Sequence, residues 1–267
     1  MINYQTHAKT IRQNIIKMIA DAKAAHIGGA LSVVDILTVL YFDILKINPQ
    51  RLKDPFRDRL IFSKGHAASA LYATLAQRGF FSKRMLKTYF ANGSKMPGHP
   101  VKNCVPGIEV STGSLGHGLS MGLGIALSAK LDRQKYKTYV IMSEGDCDEG
   151  STWEAAMMAS HLYLDNLIAI IDYNKIQAFG KSTEVLNLEP LKDKWQAFGW
   201  GVREIDGHNY QEIEKVMKSV PFKKGKPNLI IAHTIKGKGI SFMEDKLEWH
   251  YRYPDQLQLE KALAELK

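Results

Sequence analysis

The sequence has few cysteines and no long hydrophobic run, and both absences narrow the possible classes of protein. Its two cysteines, Cys104 and Cys147, have neither metal-ligand spacing nor the framework of a disulfide-stapled domain. No apolar run approaches the roughly 20 residues that span a bilayer. The N-terminus also lacks the charged-then-apolar pattern of a signal peptide. We therefore expect a cytoplasmic protein that does not insert into a membrane.

Motifs of the commonest nucleotide-binding sites are also missing. The glycine-rich stretch 111–118 contains neither the GxxxxGK[ST] of a P-loop nor an in-register GxGxxG. The net charge of +9 suits phosphorylated substrates or an acidic partner as well as nucleic acid. Because the lysines are scattered and no nucleic-acid-binding fold pattern appears, we expect no nucleic-acid partner.

The sequence does contain a regular alternation of strand-like and helical segments. A chain of 267 residues with 45% hydrophobic content can bury a substantial core. Strands are predicted at 58–63, 137–143, 166–172, 202–206 and 228–234. With helices between them, they predict an α/β fold with a doubly wound, mostly parallel sheet. We expect one domain, 1–267, with a helical N-terminal segment, 1–50, and a C-terminal loop and helix, 235–267.

Two amphipathic helices are predicted within the N-terminal segment. The first covers residues 5–25, and the glycines that follow it indicate a helix stop. The second covers residues 32–44 and begins at Ser32 as its N-cap. His26 then falls in the glycine-rich loop between the two helices.

The stretch 139–177 is typical of a strand, an acidic turn, a helix, a second strand and a second polar turn. Such a unit is parallel, so both turns fall at the carboxyl ends of neighbouring strands, where open α/β sheets bind ligands. Glu144 in the first turn and Asn174 in the second can converge on one point. A carboxylate, an amide oxygen and a backbone carbonyl suit Mg²⁺ or Ca²⁺. Gly145 lets the backbone approach a phosphate closely.

This stretch resembles the metal–diphosphate motif of thiamine-diphosphate enzymes, a Gly-Asp-Gly followed by an Asn roughly thirty residues later. The continuation at 149–156, EGSTWEAA, is similar to the transketolase family. The family's Gly-Asp-Gly stands here as SEG at 143–145, with Glu144 in place of the metal-binding Asp. An alternative register uses Asp146 as the ligand, 28 residues before Asn174, but it puts EGSTWEA out of line.

Further motifs carry the same resemblance. They are KGHA at 64–67, GHP at 98–100, TGSLGHG at 112–118, and IKGKG at 235–239 with WH at 249–250. One difference from the family is Tyr251, which follows His250 where the family usually has glycine. This difference leaves the donor substrate open.

The resemblance implies a role for each matching residue. The implied metal ligands are Glu144, Asn174 and the backbone carbonyl of Ile176. The implied cofactor-binding residues are Lys64, His66, Gly113, Leu115, Gly145, Asp146, Glu149, Asn174, Lys236 and His250. The implied catalytic residues are His26, His66, His99 and His250. Their imidazoles would face the substrate or the reacting carbon, and Glu149 would point to a partner chain.

The resemblance covers essentially the whole chain but only the diphosphate-binding half of a full-length transketolase. In the family, the other half supplies the glutamate that contacts the cofactor's aminopyrimidine ring and generates the reactive ylid. The sequence contains no second α/β repeat. It is therefore predicted to be the N-terminal subunit of a split transketolase, inactive alone. We expect a C-terminal, pyrimidine-binding partner in an α2β2 assembly, with thiamine diphosphate, Mg²⁺ (or Ca²⁺) and sugar phosphate substrates.

Two other functions stay open at the level of sequence. One is a subunit of another thiamine-diphosphate enzyme, of the deoxyxylulose-phosphate synthase or 2-oxoacid dehydrogenase type. His26, His99 and the WEAA run argue against the dehydrogenase. The other is a non-catalytic cofactor-binding module, which the glutamate at 144 and the missing half would suit. The donor and acceptor sugars, and the choice between central metabolism and a dedicated biosynthetic pathway, also stay open.

Overall fold

Five parallel strands form the centre of the molecule. The computed structural model describes residues 2–267. The strands are β1 (Arg59–Phe62), β2 (Thr138–Ser143), β3 (Leu167–Tyr173), β4 (Gly201–Asp206) and β5 (Asn228–His233). They form one sheet in the order β1-β2-β3-β5-β4, and every neighbouring pair is parallel. The predicted α/β fold and all five strands are confirmed.

Ten α-helices surround this sheet in the part of the chain that the structure describes. They are α1 (Tyr4–Ala22), α2 (Ile27–Ser32), α3 (Val34–Val39), α4 (Ala68–Arg78), α5 (His117–Leu131), α6 (Gly150–His161), α7 (Ser182–Val185), α8 (Leu191–Ala197), α9 (Tyr210–Lys218) and α10 (Gln256–Glu265). A π-helical turn, Leu40–Ile44, extends α3. Within residues 2–267, none of the helices has the length and apolar character needed to cross a bilayer.

The helices cover both faces of the sheet because strand side chains alternate between them. On one face, Ile141 and Ile170 pack into a core shared with α1 to α4, α9 and α10. On the opposite face, Val140 and Ile171 pack into a second core with α5, α6 and α8. The strands β1, β2, β3 and β5 are therefore buried on both sides, which explains their nearly continuous apolar sequences, whereas half of the edge strand β4 is exposed.

The predicted helix at 32–44 begins at the wrong place. The glycines placed in a loop belong to α2, and Ser32 is the last residue of that helix rather than an N-cap. The Ser32 hydroxyl instead donates a hydrogen bond of 2.6 Å to Asp172 on β3. Gly28 has a packing role, since a Cβ there would lie 2.9 Å from Cγ of Lys236. A close helix contact thus replaces the expected loop.

Because all five strands run in the same direction, their carboxyl ends lie at one edge of the sheet. The residues that follow these ends come from separate parts of the sequence. Glu144 follows β2, Asn174 follows β3, and Lys236 lies three residues after β5. The fold therefore brings the predicted polar residues to one edge.

Candidate active site

A cavity of about 390 Å³ opens at the carboxyl edge of the sheet. The predicted site residues that line it are His26, His66, His99, Gly113, Leu115, Glu144, Gly145, Glu149, Asn174, Ile176, Lys236 and His250. Its size and its combination of apolar walls with a few convergent polar groups are typical of a small-molecule site. Residues predicted from widely separated motifs thus share one cavity.

Lys64, a predicted cofactor contact, does not line the cavity, and its side chain lies behind Gly29, which does. It is fully buried and forms an ion pair with Asp172. Its ammonium also donates a hydrogen bond of 2.9 Å to the carbonyl of Gly29. A buried ammonium needs such partners, and Asp172 and Gly29 provide them.

Asp146, another predicted cofactor contact, does not line the cavity either. Its carboxylate is fully buried and accepts hydrogen bonds from the backbone N–H groups of Ser143, at 2.8 Å, and Gly116, at 2.9 Å. Both oxygens are therefore occupied by backbone donors. This arrangement gives no support to the alternative register in which Asp146 binds the metal.

Glu144 differs from Asp146, because one of its carboxylate oxygens has no hydrogen-bond partner. Oε1 accepts a hydrogen bond of 3.2 Å from Ser182, whereas Oε2 is buried without any hydrogen bond. Burial, together with the nearby charge of Asp172, raises the pKa of Glu144 to about 7. A buried carboxylate oxygen without a donor is unfavourable unless a cation compensates its charge. The residue therefore fits a cation ligand.

The other two predicted metal ligands also line the cavity. Asn174 Oδ1 accepts a hydrogen bond of 3.2 Å from the N–H of Ile176. The Ile176 carbonyl accepts one of 2.7 Å from Lys236 Nζ. One carboxylate, one amide oxygen and one carbonyl form a hard-oxygen set of the kind that Mg²⁺ and Ca²⁺ prefer. Among residues 2–267, no cluster of three or more His, Cys, Asp or Glu has the arrangement of a metal site.

Lys236 is the cation that faces these oxygens. It is 1% exposed, and its ammonium also contacts Nδ1 of His250 at 2.9 Å. Burial lowers its pKa to about 8, although the Glu144 carboxylate acts in the opposite direction. Lys236 therefore retains most of its charge near neutral pH and is placed to attract an anion.

The four predicted histidines form a cluster around His26. The centroid of its ring lies 4.9 Å from that of His250, 5.3 Å from that of His66 and 6.2 Å from that of His99. His26 has φ of 73°, in the left-handed region that few non-glycine residues occupy. Its N–H donates a hydrogen bond of 2.6 Å to the His250 carbonyl, which holds this conformation.

Burial keeps these four imidazoles uncharged near neutral pH. It lowers the pKa of His26 to about 4 and that of His250 to about 3, and neighbouring positive groups add to the effect. The pKa of His66 is well below its usual value for the same reasons, and burial also lowers that of His99. Neutral imidazoles can accept a proton or a hydrogen bond from a hydroxyl group.

The glycines of the lining leave bare backbone at the cavity wall. A Cβ on Gly145 would lie 3.1 Å from Leu115, and one on Gly113 would lie 3.3 Å from His99. Both distances are tight, so side chains would crowd the wall. Glu149 differs from these residues because it is exposed at the rim, where it precedes α6.

Some lining residues were not predicted from the sequence. They are Gly29, Ser143, Asp148, Gln177, Ala178, Phe179 and Val185. Several belong to the segment 177–185, which contains α7 and returns toward Glu144 through Ser182. Phe179, an apolar residue in a polar loop, is the feature of the sequence that could have indicated this segment. In the structure its side chain is 83% exposed.

Comparisons with known proteins identify the family. The family described as "Transketolase, thiamine diphosphate binding domain" matches residues 3–252. An apulose-4-phosphate transketolase subunit of Phocaeicola vulgatus is 47% identical over 96% of this chain and 90% of its own length. The 6-deoxy-6-sulfo-D-fructose transketolase subunit SqwG of Clostridium sp. is 44% identical over 100% of this chain and 97% of its own length.

Solved transketolases share the fold over a part of their length. The enzyme of Campylobacter jejuni superposes with a TM-score of 0.92 and 34% identity, covering 98% of this chain and 42% of that enzyme. The Leishmania mexicana enzyme gives a TM-score of 0.93 and 30% identity, with coverage of 100% and 41%. The predicted resemblance is confirmed, and the chain belongs to the transketolase family as a thiamine-diphosphate-binding domain.

Proposed function

We propose that this chain is the diphosphate-binding subunit of a two-subunit transketolase, which transfers a two-carbon ketol unit from a sugar donor to an aldose acceptor. The observation that carries the proposal is the meeting in one cavity of a carboxylate with one unpartnered oxygen, a buried ammonium and four neutral imidazoles. Three relatives are themselves named as transketolase subunits, and the chain covers at least 90% of the length of each, which supports the proposal.

The chain's own residues fit the cofactor and a divalent ion. Thiamine diphosphate, when bound, supplies the centre that stabilises a carbanion. Glu144, Asn174 and the Ile176 carbonyl would hold Mg²⁺ (or Ca²⁺), and the orphaned Glu144 oxygen supports this assignment. Lys236 would attract the diphosphate charge, and the bare backbone at Gly145 would admit its oxygens.

The histidines would contact the substrate. His26, His99 and His250 offer neutral ring nitrogens within one cavity, so they can accept hydrogen bonds from sugar hydroxyls or donate them to a carbonyl oxygen. His26 Nδ1 is buried without a hydrogen-bond partner, which suits a group that awaits a ligand. The His66 ring lies 5.3 Å from the His26 ring and 6.2 Å from the His250 ring, and it would face both cofactor and substrate.

The substrates are proposed to be anionic sugars. The names of two relatives specify a sugar phosphate and a sulfo-sugar, and both of these compounds carry negative charge. The net charge of +9 on this chain favours the approach of such molecules. The free state of both cysteines suits a cytoplasmic location, where sugar phosphates occur.

A second, separately encoded chain is proposed to complete the site. On α5 and α6, Leu131, Met157 and Met158 expose apolar side chains that a partner could cover. Glu149 lies at the cavity rim, where α6 begins. A pyrimidine-binding α/β subunit on this side would cover the apolar residues and close the cavity. We expect an α2β2 assembly.

The test is a ketol-transfer assay with thiamine diphosphate and Mg²⁺. We expect no turnover by this chain alone and turnover when the product of a gene encoding the pyrimidine-binding subunit is added. Appreciable turnover without that subunit would contradict the two-subunit proposal. Cofactor binding without turnover in the assembled complex would favour a non-catalytic module, and decarboxylation of pyruvate would favour the deoxyxylulose-phosphate synthase or 2-oxoacid dehydrogenase type.

A further inference from the structure

A buried polar cluster lies outside the cavity and is centred on Asp35, which is 3% exposed. Arg12 donates two hydrogen bonds to its carboxylate, at 2.9 Å and 2.7 Å. The Tyr210 hydroxyl and Nδ1 of His208 each lie 2.7 Å from it. Burial alone would raise the pKa of Asp35, but Arg12 and these donors hold it well below its usual value. We call Arg12, Asp35, His208 and Tyr210 the Asp35 cluster.

The partners of His208 determine its tautomer. The backbone N–H of Ile235 points at Nε2 across 2.9 Å. Because an amide N–H can only donate, Nε2 must accept and is unprotonated. The proton is therefore on Nδ1, where it faces the Asp35 carboxylate. Asp35 fixes the ring so that its other nitrogen receives the Ile235 amide.

Lys236 lies between two backbone groups that this cluster holds. On one side, the N–H of Ile235 is bound to His208. On the other side, Nε of Arg12 donates a hydrogen bond of 3.0 Å to the carbonyl of Lys238. Both contacts lead back to the same buried carboxylate, so the Asp35 cluster constrains the backbone before and after Lys236.

The turn that carries His208 is packed tightly against the end of β5. A Cβ on Gly207 would lie 2.4 Å from Cγ2 of Thr234, so the close approach requires a glycine. The N–H of Gly207 donates a hydrogen bond of 2.8 Å to the His233 carbonyl. The ring of His208 is thereby placed at the first residues after the strand.

We propose that His208 and Asp35 are positioning residues for Lys236, which hold its backbone so that the ammonium enters the cofactor cavity. Neither residue lines the cavity. Their effect on binding is therefore indirect and passes through the segment 235–238. The inference rests on the proposed function only in assigning the Lys236 ammonium to the diphosphate.

Two substitutions of one residue separate positioning from general stability. His208→Asn keeps an N–H near the Nδ1 position for Asp35 but removes the acceptor for the Ile235 amide. His208→Gln places an amide oxygen near the Nε2 position and can accept that amide. A purely structural role would make the two variants lose stability alike, whereas positioning makes only His208→Asn release the backbone at Ile235.

The first measurement is amide hydrogen exchange of the full chain, resolved at Ile235, alongside thermal unfolding. We expect exchange at Ile235 to be about tenfold faster in His208→Asn, with protection retained in His208→Gln and in the strands of both variants. Unchanged protection of Ile235 in His208→Asn, or equal loss in the two variants, overturns the proposal. Since this readout needs no ligand, it does not depend on the proposed function.

The second measurement is the affinity of the full chain for inorganic pyrophosphate with Mg²⁺, by calorimetry. We expect His208→Asn to bind about tenfold more weakly, His208→Gln to resemble the wild type, and Lys236→Met to bind at least as weakly as His208→Asn. If Lys236→Met weakens binding and His208→Asn does not, the positioning role is overturned. If the wild type does not bind, or if Lys236→Met binds normally, the assignment of Lys236 to the diphosphate fails instead.

Discussion

The ammonium of Lys236 donates a hydrogen bond of 2.7 Å to the carbonyl oxygen of Ile176, one of the three proposed metal ligands. A monovalent cation of the protein thus contacts an oxygen that a divalent ion would also use. The two cations repel each other, so an anion in addition to Glu144 would favour the presence of both the ion and Lys236 in this cavity. The diphosphate group would provide that anion.

This relationship predicts opposite effects of Lys236→Met on two ligands. Binding of Ca²⁺ or Mg²⁺ alone should become tighter, because a competing and repelling charge is removed. Binding of pyrophosphate with the metal should become weaker by about tenfold or more, because a charge-assisted hydrogen bond is lost. Calorimetry measures both, with the exposed Lys224→Met as the matched control. Effects of the same sign on both ligands would contradict the prediction.

Glu144→Gln should abolish most metal binding while leaving the fold intact. The substitution removes the only carboxylate among the proposed ligands, and we expect about 100-fold weaker Mg²⁺ binding in the presence of pyrophosphate. Glu144→Asp keeps the charge and should retain more of the affinity than Glu144→Gln. Calorimetry gives the affinities, and unfolding in urea checks the fold. Equal affinities of the wild type and Glu144→Gln would exclude Glu144 as a ligand.

The raised pKa of Glu144 predicts how stability without metal depends on pH. Its pKa is about 7 in the folded chain and has the ordinary value of 4.5 in the unfolded chain, so ionisation destabilises the fold as pH rises between these values. The cost is fully present above the folded pKa. Glu144→Gln lacks it, and its free energy of unfolding relative to the wild type should therefore increase from about pH 5 to about pH 7.5. Urea unfolding over this range measures the difference, and a flat difference would contradict the prediction.

Met158→Glu should weaken association with the pyrimidine-binding subunit. Met158 is 49% exposed on α6, and a charge there would have to be desolvated in an apolar interface. We expect at least about tenfold weaker association, with unchanged binding of pyrophosphate. Sedimentation or light scattering of the mixed subunits measures the effect. Leu257→Glu, at an exposed leucine on α10, is the control. If the two variants associate equally well with the pyrimidine-binding subunit, the surface around Met158 is not the interface.

Tyr251 is predicted to affect the choice of substrate at the cavity entrance. Its ring centroid lies 4.8 Å from that of His250 and 6.0 Å from that of His26, and the residue is 59% exposed. Tyr251→Gly should widen this side and raise kcat/KM for bulkier donors relative to smaller ones. The ratio of kcat/KM values over a series of ketose donors, measured in the assembled enzyme, tests this. An unchanged ratio would place Tyr251 outside the path of the substrate.

The elements predicted best were those that depend on local sequence. All five strands were located within one residue at each end, because β-branched apolar runs between turn residues have a local signature. The start of the second helix was placed wrongly because Gly28 and Gly29 resemble a helix stop. The contact of Gly28 with Lys236, more than two hundred residues away, is not visible locally.

The sequence by itself determined the order of the strands and helices, and it also determined which polar residues follow β2 and β3. Both depend on apolar periodicity and turn residues, which are properties of a few consecutive residues. Only the tertiary structure decided which polar side chains reach the cavity. Lys64 is held by an ion pair with Asp172 on β3. The Asp146 carboxylate accepts hydrogen bonds from backbone N–H groups, including that of Gly116. Glu144 remains partly unpartnered. Hydrogen-bond partners from distant parts of the chain, and not the local sequence, select the groups left available for a ligand.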